Sequence, residues 1–198
     1  EPEEEELERQ TSFNLNFQNT GGWRTKPEKI EAHGMYFRGE VADVAAYDIA
    51  GYAEVHCDGY GDPQRFADTV NPEGRSWYTF WLAVSAGPRL NNVPIQATSY
   101  ASGRVLRLDM RIAGCNRSYI FVYVPSKAPQ RKRFLASFHA CIPKDREVVM
   151  MGDMNLRTSA LDHEHGAPPN EGSTTWRTIQ ETYGLQDVWR TRNPKKKQ

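Results

Sequence analysis

The spacing of apolar positions along the chain predicts a mixture of strands and helices. Apolar and polar residues alternate over 13–17 and 105–112, as is typical of half-buried strands. Apolar runs predict further strands over 47–55, 77–85, 119–124 and 148–151. Apolar residues at helical spacing predict helices over 27–38, 130–141 and 173–183, the last ending at Gly184. Residues 57–75 are rich in Gly and Pro and are predicted to form an irregular surface connection.

The order of these elements indicates a fold class. The turn at 113–116 joins two predicted strands into a hairpin, whereas the later part of the chain alternates helix and strand. Such a mixture favours an α+β fold with a two-sheet β-sandwich core flanked by helices. No internal repeat is visible.

Composition bounds the class of protein. With 198 residues, 38% of them hydrophobic and 25% charged, the chain is most simply one soluble globular domain. No apolar run is long enough to span a membrane, and the first residues do not form a signal peptide. Cys57, Cys115 and Cys141 are widely spaced, which indicates reduced thiols of an intracellular protein.

The formal net charge of zero conceals two regions of opposite charge. Residues 1–10 contain six Glu and one Arg, which predicts an acidic, disordered lead-in before a single domain over 11–198. The remaining residues therefore carry a net charge of +5. Basic residues concentrate at 131–133 and 190–197. Such clusters are usually solvated surface, but they are compatible with a polyanionic partner.

The run Gly152-Asp153-Met154-Asn155 carries the most chemical information. It follows a predicted buried strand, and residues two apart in an extended segment project from the same face. A carboxylate that accepts a proton beside an amide that donates to an anionic oxygen suits hydrolysis of a phosphodiester. The alternative is that this run is merely a turn.

Several segments, in order, resemble one family. The strand with Leu15-Asn16, then Glu54-Val55-His56, then the strand ending at Pro125, and the run ending at Asn155 resemble the endonuclease/exonuclease/phosphatase superfamily. The finer resemblance is to the apurinic-type endonuclease domain of non-LTR (LINE-type) retrotransposons, and it rests on Gln130-Arg131, Phe134, Leu161-Asp162, Leu185-Gln186-Asp187-Val188-Trp189-Arg190 and Asn193-Pro194. The resemblance covers roughly residues 12–198 and is specific from residue 103 onward.

The resemblance implies a role for five residues. Glu54 would hold a divalent metal, Mg2+ with Mn2+ as a substitute, and Asn16 would lie near it. Tyr123 would contact the scissile phosphate, Asp153 would orient or deprotonate the attacking water, and Asn155 would hydrogen-bond a phosphate oxygen. The chemistry agrees with this, because a hard carboxylate suits Mg2+ and neutral donors do not compete for the metal.

Alternatives remain for three of these assignments. The family usually has Gln before the metal-binding Glu, where this chain has Ala53, and Asp48 is a second candidate ligand. Asn16 could instead cap a strand end, and the neighbouring Gln18 and Asn19 leave the register of this strand open. A tyrosine in a strand, such as Tyr123, is often only a core aromatic residue.

The family pattern also contains a later Asp and a terminal Ser-Asp-His, which do not occur before Gln198. His139, His163 and His165 are poor replacements, and Asp162 belongs to a loop of the pattern. The resemblance therefore implies a domain truncated at its C-terminus that lacks the last strands of the second sheet. It also implies that this fragment is weakly active or inactive.

The function that the resemblance implies is that of a Mg-dependent DNA endonuclease of a retroelement. It would nick target DNA to leave a 3′-hydroxyl for a reverse transcriptase domain in cis, and it would be intracellular and nuclear at the time of action. One alternative is another phosphodiesterase or phosphatase of the superfamily, acting on abasic DNA, RNA or a phospholipid. A second alternative is a non-catalytic relative that binds nucleic acid or protein.

Overall fold

The structure, a computed structural model, describes residues 12–22, 27–57, 62–162 and 167–196. The predicted acidic lead-in lies outside the described residues. The chain divides into two compact units, here named the sandwich unit (Glu1–Tyr123 and Asp145–Asp153) and the helical unit (Val124–Lys144 and Met154–Gln198). One domain over 11–198 stays a prediction.

The sandwich unit contains two four-stranded sheets. The first has the order β1-β2-β4-β3, with β1 (Leu15–Asn19), β2 (Ile49–Ala53), β3 (Arg75–Tyr78) and β4 (Leu82–Ala86). The second has the order β5-β6-β7-β8, with β5 (Ile95–Tyr100), β6 (Val105–Ile112), β7 (Cys115–Tyr123) and β8 (Glu147–Asp153). Only the pairs β1–β2 and β7–β8 are parallel among the described strands.

The core of this unit lies between the two sheets. Alternate residues of β6, including Leu106, Leu108 and Met110, are buried against residues of the first sheet such as Leu82 and Val84. The predicted α+β sandwich is therefore confirmed. The period-2 pattern of residues 105–112 predicted β6 with its bounds, because one face of this strand is fully apolar.

Two helices cover the outer face of the first sheet. They are α1 (Pro27–Arg38) and α2 (Asp62–Val70). Phe37 of α1 and Phe66 of α2 are buried in a cluster with Tyr52, which alternates with the inward-facing residues of β2. The centre of the first sheet is thus buried on both faces, which explains why every residue of β2 is buried.

The helical unit contains α3 (Ala128–Ser137), α4 (Ser173–Tyr183) and α5 (Val188–Arg192). Phe138, which follows α3, packs against Phe134 and against Trp176 of α4, with ring centroids 5.4 and 5.9 Å apart. Helix α4 has the predicted bounds and ends at Gly184, whose φ of 63° is the left-handed conformation that suits glycine at a helix end.

Several sequence-based predictions were wrong in their boundaries or type. Residues 57–75 contain helix α2, which forms because Phe66 and Val70, four residues apart on one helix face, are buried. Residues 77–85 form two strands that turn at 79–81. Residues 130–141 end in a 3-10 segment, Phe138–Cys141. The first strand is shifted from 13–17 to Leu15–Asn19, and β5 was missed.

The parallel pairs bring four strand ends to two sheet edges. Asn19 pairs with Ala53 at the ends of β1 and β2, and Tyr123 pairs with Asp153 at the ends of β7 and β8. The approach of β8 to β7 requires Gly152, because a Cβ atom there would lie 2.3 Å from the carbonyl oxygen of Val122. No helix among the described residues is long and apolar enough to cross a bilayer.

Candidate functional site

Two carboxylates converge on one amide at the strand ends of the sandwich unit. The Nδ2 atom of Asn19 donates to Glu54 Oε1 at 3.0 Å and to Asp153 Oδ2 at 2.7 Å. Asn19 comes from the end of β1, Glu54 follows β2, and Asp153 ends β8. The sandwich thereby brings together acids that are 99 positions apart in the chain. The amide holds two like charges close to each other.

Tyr123 completes this cluster. Its hydroxyl donates to Glu54 Oε1 at 2.7 Å. The hydrogen bonds from Asn19 and Tyr123, together with the charge interaction with His56, lower the pKa of Glu54. Burial, the hydrogen bond to Glu54 and the charges of Glu54 and Asp153 raise the pKa of Tyr123 to about 12. At neutral pH the cluster therefore holds an ionised Glu54 beside a protonated Tyr123 that acts as a donor.

The backbone at Glu54 is strained. Glu54 and His56 have φ angles of 58° and 53°, in the left-handed region that side chains other than glycine rarely adopt. Each such residue costs on the order of 1 kcal/mol. Thr20 holds this turn, because its N–H and its hydroxyl both donate to the carbonyl oxygen of Ala53, at 3.0 and 2.9 Å. Strain of this kind is concentrated at functional sites.

An aromatic wall borders the cluster. The ring of Trp81 lies 5.5 Å from that of Tyr123 and 5.6 Å from that of His56. Phe80 stacks edge-on against Trp81 at 4.8 Å and is 46% exposed. The guanidinium of Arg104 lies 3.9 Å from the Trp81 ring centroid and 5.1 Å from that of Tyr123. A cation and an exposed aromatic surface thus lie next to the acidic cluster.

Asn155 belongs to the helical unit. Its Nδ2 donates to the carbonyl oxygen of Val124 at 2.7 Å, and its own carbonyl accepts from Asn170 Nδ2 at 3.0 Å. The φ of Asn155 is 47°, a conformation that asparagine tolerates better than most residues. These contacts fix both the backbone and the orientation of the amide two residues after Asp153.

The structure brings together three of the five residues predicted for the site. Glu54, Tyr123 and Asp153 form one hydrogen-bonded cluster in the sandwich unit. Asn16 is not in it, because Asn16 pairs with Ala50 and lies three residues, or about 10 Å, before the end of β1. Its Nδ2 is buried and has no hydrogen-bond partner among the described residues.

Sequence reasoning missed Asn19. The signal was its place immediately before Thr20-Gly21-Gly22, where the first strand ends, as Asp153 lies where β8 ends. The rival ligand Asp48 precedes β2 and is about 20 Å from Glu54 along that strand. Asp48 is buried and accepts from the N–H of Asn14 and from Arg89, both at 2.7 Å. Its contacts are those of a structural carboxylate.

The other acids and histidines considered from the sequence do not join the cluster. Asp162, in the helical unit, accepts from Arg190. The His139 ring nitrogen lies 3.3 Å from the hydroxyl of Tyr183, also in the helical unit. His163 and His165 lie outside the described residues.

The donor set of the cluster fits a hard divalent cation. No group of three or more His, Cys, Asp or Glu side chains that could hold a metal occurs in the described ranges. Mg2+, however, keeps several waters and is commonly bound through one or two carboxylates. Glu54 supplies one such carboxylate, whereas the amide oxygen of Asn19 already accepts from the N–H of Gly21 at 2.8 Å. The carboxylate of Glu54 is ionised at neutral pH, because hydrogen bonds from Asn19 and Tyr123 lower its pKa.

Comparison with known sequences relates part of the chain to a transposon protein. No family model matches the chain. Over 103 residues, half of the chain, it is 32% identical to the transposon TX1 uncharacterized 149 kDa protein of Xenopus laevis. The matched part spans 8% of that protein's length.

Comparison with solved structures identifies the fold. An AP endonuclease from Archaeoglobus fulgidus superposes with a TM-score of 0.62 at 17% identity, covering 94% of this chain and 76% of that one. TDP2 of D. rerio, in a complex with a single-strand DNA product, gives a TM-score of 0.50 at 14% identity, covering 75% of this chain and 62% of that one. The fold that the resemblance implied is therefore confirmed by these structures, and half of the sequence is similar to that of a transposon protein.

Proposed function

We propose that this chain is the catalytic part of a metal-dependent phosphodiester hydrolase that nicks DNA for a retroelement. The observation that carries the proposal is the amide of Asn19, which holds the carboxylates of Glu54 and Asp153 together beside the Tyr123 hydroxyl. The similarity to a transposon protein and the fold shared with an AP endonuclease and a DNA-bound TDP2 support it. The nick would leave a 3′-hydroxyl for a reverse transcriptase in cis, in the nucleus.

Glu54 would hold the metal, Mg2+ or Mn2+, with Asn19 fixing its carboxylate. A divalent cation bound there supplies positive charge for the phosphate and for the departing oxygen. The strained turn at Glu54 keeps its carboxylate next to Asp153 despite the repulsion of like charges. The hydroxyl of Tyr123 orients Glu54 in the absence of substrate.

Asp153 would orient the attacking water and accept its proton. A carboxylate is a suitable base for this step once the phosphate charge is neutralised. Asn155, two residues further along the chain, would donate an amide N–H to a phosphate oxygen as negative charge develops. Arg104, stacked on Trp81 and Tyr123, would add a fixed positive charge on the phosphate side of the cluster.

Plasmid nicking tests this proposal. With residues 1–198 in excess over supercoiled plasmid, we expect slow conversion to open circles that requires Mg2+ or Mn2+ and stops with EDTA. Asp153→Asn should lower the rate roughly 10²- to 10⁴-fold, the usual contribution of a general base. Binding of duplex DNA in Ca2+ should be unchanged or slightly tighter, because the change removes a negative charge that faces a phosphate.

Two results would contradict the assignment. If nicking by Asp153→Asn stays within about tenfold, which is about 1.4 kcal/mol of barrier, Asp153 does not activate the water. If folding and DNA binding fail together in this variant, the run Gly152 to Asn155 is a structural turn. Metal-independent nicking by the unchanged chain would remove the proposed function itself.

A further inference from the structure

The helical unit differs sharply in charge from the sandwich unit. Its described residues contain eleven Lys and Arg side chains and four Asp and Glu side chains. The described residues of the sandwich unit contain ten Lys and Arg and thirteen Asp and Glu. The helical unit therefore carries a local positive charge that has no role in the acidic cluster of the sandwich unit.

Hydrogen bonds gather part of this charge on one surface. Arg190 Nη2 contacts Asp162 Oδ1 at 2.6 Å, and Arg190 Nη1 donates to the carbonyl oxygen of Lys196 at 2.7 Å. Arg177 of α4 donates to the carbonyl oxygen of Thr158 at 3.5 Å, and Thr158 in turn donates to Asp162. We call the set formed by Arg177, Arg190 and Lys196, together with the exposed Arg192 and Lys195 beside them in the sequence, the basic surface.

Most of the charge of the basic surface is exposed. Arg177, Arg192, Lys195 and Lys196 are exposed, and none of them forms an ion pair with a carboxylate of the described residues. The Asp162 side chain is only 10% exposed and forms an ion pair with Arg190. Asp187 accepts from the N–H of Arg190 as a helix cap. These two carboxylates therefore shape the surface and leave a net positive charge on it.

The turn that carries the two lysines is fixed. The N–H of Lys196 donates to the carbonyl oxygen of Asn193 at 3.2 Å, while Arg190 holds the Lys196 carbonyl. The guanidinium of Arg190 also lies 4.8 Å from the ring centroid of Trp189. A fixed backbone turn leaves less of the chain to be ordered when its lysines bind a charged ligand.

We propose that the basic surface binds the phosphate backbone of a nucleic acid. Duplex DNA carries a regular array of phosphates with condensed counterions, and each exposed cation that neutralises a phosphate releases counterions, which favours a nucleic acid over an acidic protein segment. The inference deepens the proposed function, since it names where DNA outside the cleaved bond is held. It concerns binding alone, and it can hold or fail whether or not the chain cleaves DNA.

Salt dependence of binding tests the proposal. The double variant Arg192→Gln/Lys196→Gln is compared with the unchanged chain, with a short DNA duplex as the probe and EDTA present so that no cleavage occurs. If each cation contacts one phosphate, the slope of log Kd against log salt should fall by about two, and affinity at 0.1 M salt by roughly tenfold or more. Poly-glutamate should compete poorly with the duplex.

A matched control keeps the net charge change the same. Arg65→Gln/Arg111→Gln neutralises two exposed arginines of the sandwich unit and should leave the slope unchanged. Thermal unfolding by circular dichroism checks that both variants fold. An unchanged slope in the first variant, an equal loss in the control, or poly-glutamate competing as well as DNA would each overturn the proposal. Nicking by Asp153→Asn is measured separately, so failure of either idea is visible on its own.

Discussion

Two carboxylates, Glu54 in the sandwich unit and Asp162 in the helical unit, are surrounded in opposite ways. Asp162 Oδ2 accepts from the N–H groups of Thr158 and Ser159 and from the Thr158 hydroxyl, at 2.7 to 2.8 Å, and its other oxygen contacts Arg190. Glu54 accepts from two neutral donors, Asn19 and Tyr123, and shares the first of them with another carboxylate.

The difference separates a structural acid from a candidate catalytic one. Asp162 has a cation and three further donors, and these hydrogen bonds lower its pKa to about 2 against the opposing effect of burial. Glu54 forms no ion pair with a described Lys or Arg, and its backbone is strained. A folded chain gains stability by satisfying its acids, so an acid held beside a second acid indicates a position selected for a ligand.

Replacing Glu54 by a neutral residue should remove the negative charge proposed to bind the metal. We expect Glu54→Gln to lower the rate of nicking at limiting Mg2+ by about a hundredfold or more, because the hard cation loses a negatively charged ligand. A Mg2+ titration of nicking should show the half-maximal concentration rising by at least roughly tenfold. Folding should be little affected, because Gln can still accept from Asn19 and Tyr123.

The matched control is Asp48→Asn, a neutral replacement at the other end of β2. It removes a buried acid from Arg89 and should cost about 1–3 kcal/mol of unfolding free energy, measured with urea. Its Mg2+ dependence should stay within about twofold of the unchanged chain. A larger shift in Mg2+ dependence for Asp48→Asn than for Glu54→Gln would invert the assignment of the metal ligand.

Two asparagines of β1, Asn16 and Asn19, should differ in their effect on nicking. Asn19→Ala removes the amide shared by Glu54 and Asp153, and we expect nicking to fall roughly 10- to 100-fold, as for other groups that orient metal ligands. Asn16→Ala should change nicking by less than about threefold. It removes a buried amide whose Nδ2 lacks a partner among the described residues, so losing this donor should not cost a hydrogen bond.

Initial rates of nicking and urea unfolding of both variants measure this contrast. If Asn16→Ala is the more damaging change to nicking, the site follows the register implied by the family resemblance. The pairing of Asn19 with Ala53 would then not be the functional one.

Elements with a strong local pattern were predictable from the sequence. Helix α1 and strand β6 have the predicted bounds because apolar periodicity decided them. Strand β5, Ile95–Tyr100, was missed because it is mostly polar and partly exposed, so its pairing with β6 comes from tertiary context. The turn at 79–81 was also missed, because the residues on both sides of it form one continuous apolar run in the sequence.

The site was predictable only where its residues are neighbours in sequence. Asp153 follows a glycine that a strand end requires, and this local pattern located it. The choice of Asn19 over Asn16 depends on how β1 pairs with β2. The sequence of β1 alone does not distinguish two registers that differ by three residues. The bridge from Asn19 to Asp153 joins residues 134 positions apart, which only the packed sheets can bring together.

The smallest effect should come from the structural acid. Because folding lowers the pKa of Asp162 from its ordinary 3.8 to about 2, its ionised form stabilises the native state. That contribution is fully present above about pH 4 and is lost as the pH falls towards 2. We therefore expect Asp162→Asn to cost roughly 1–2 kcal/mol of unfolding free energy in urea at about pH 6, and the difference to shrink at about pH 2.

Asp187→Asn, at an exposed helix cap that Asn serves equally well, should cost under about 0.5 kcal/mol at both pH values. A cost for Asp162→Asn that stays constant with pH would mean that its hydrogen bonds, and not its charge, stabilise the helical unit. The contrast with Glu54 would then rest on geometry alone.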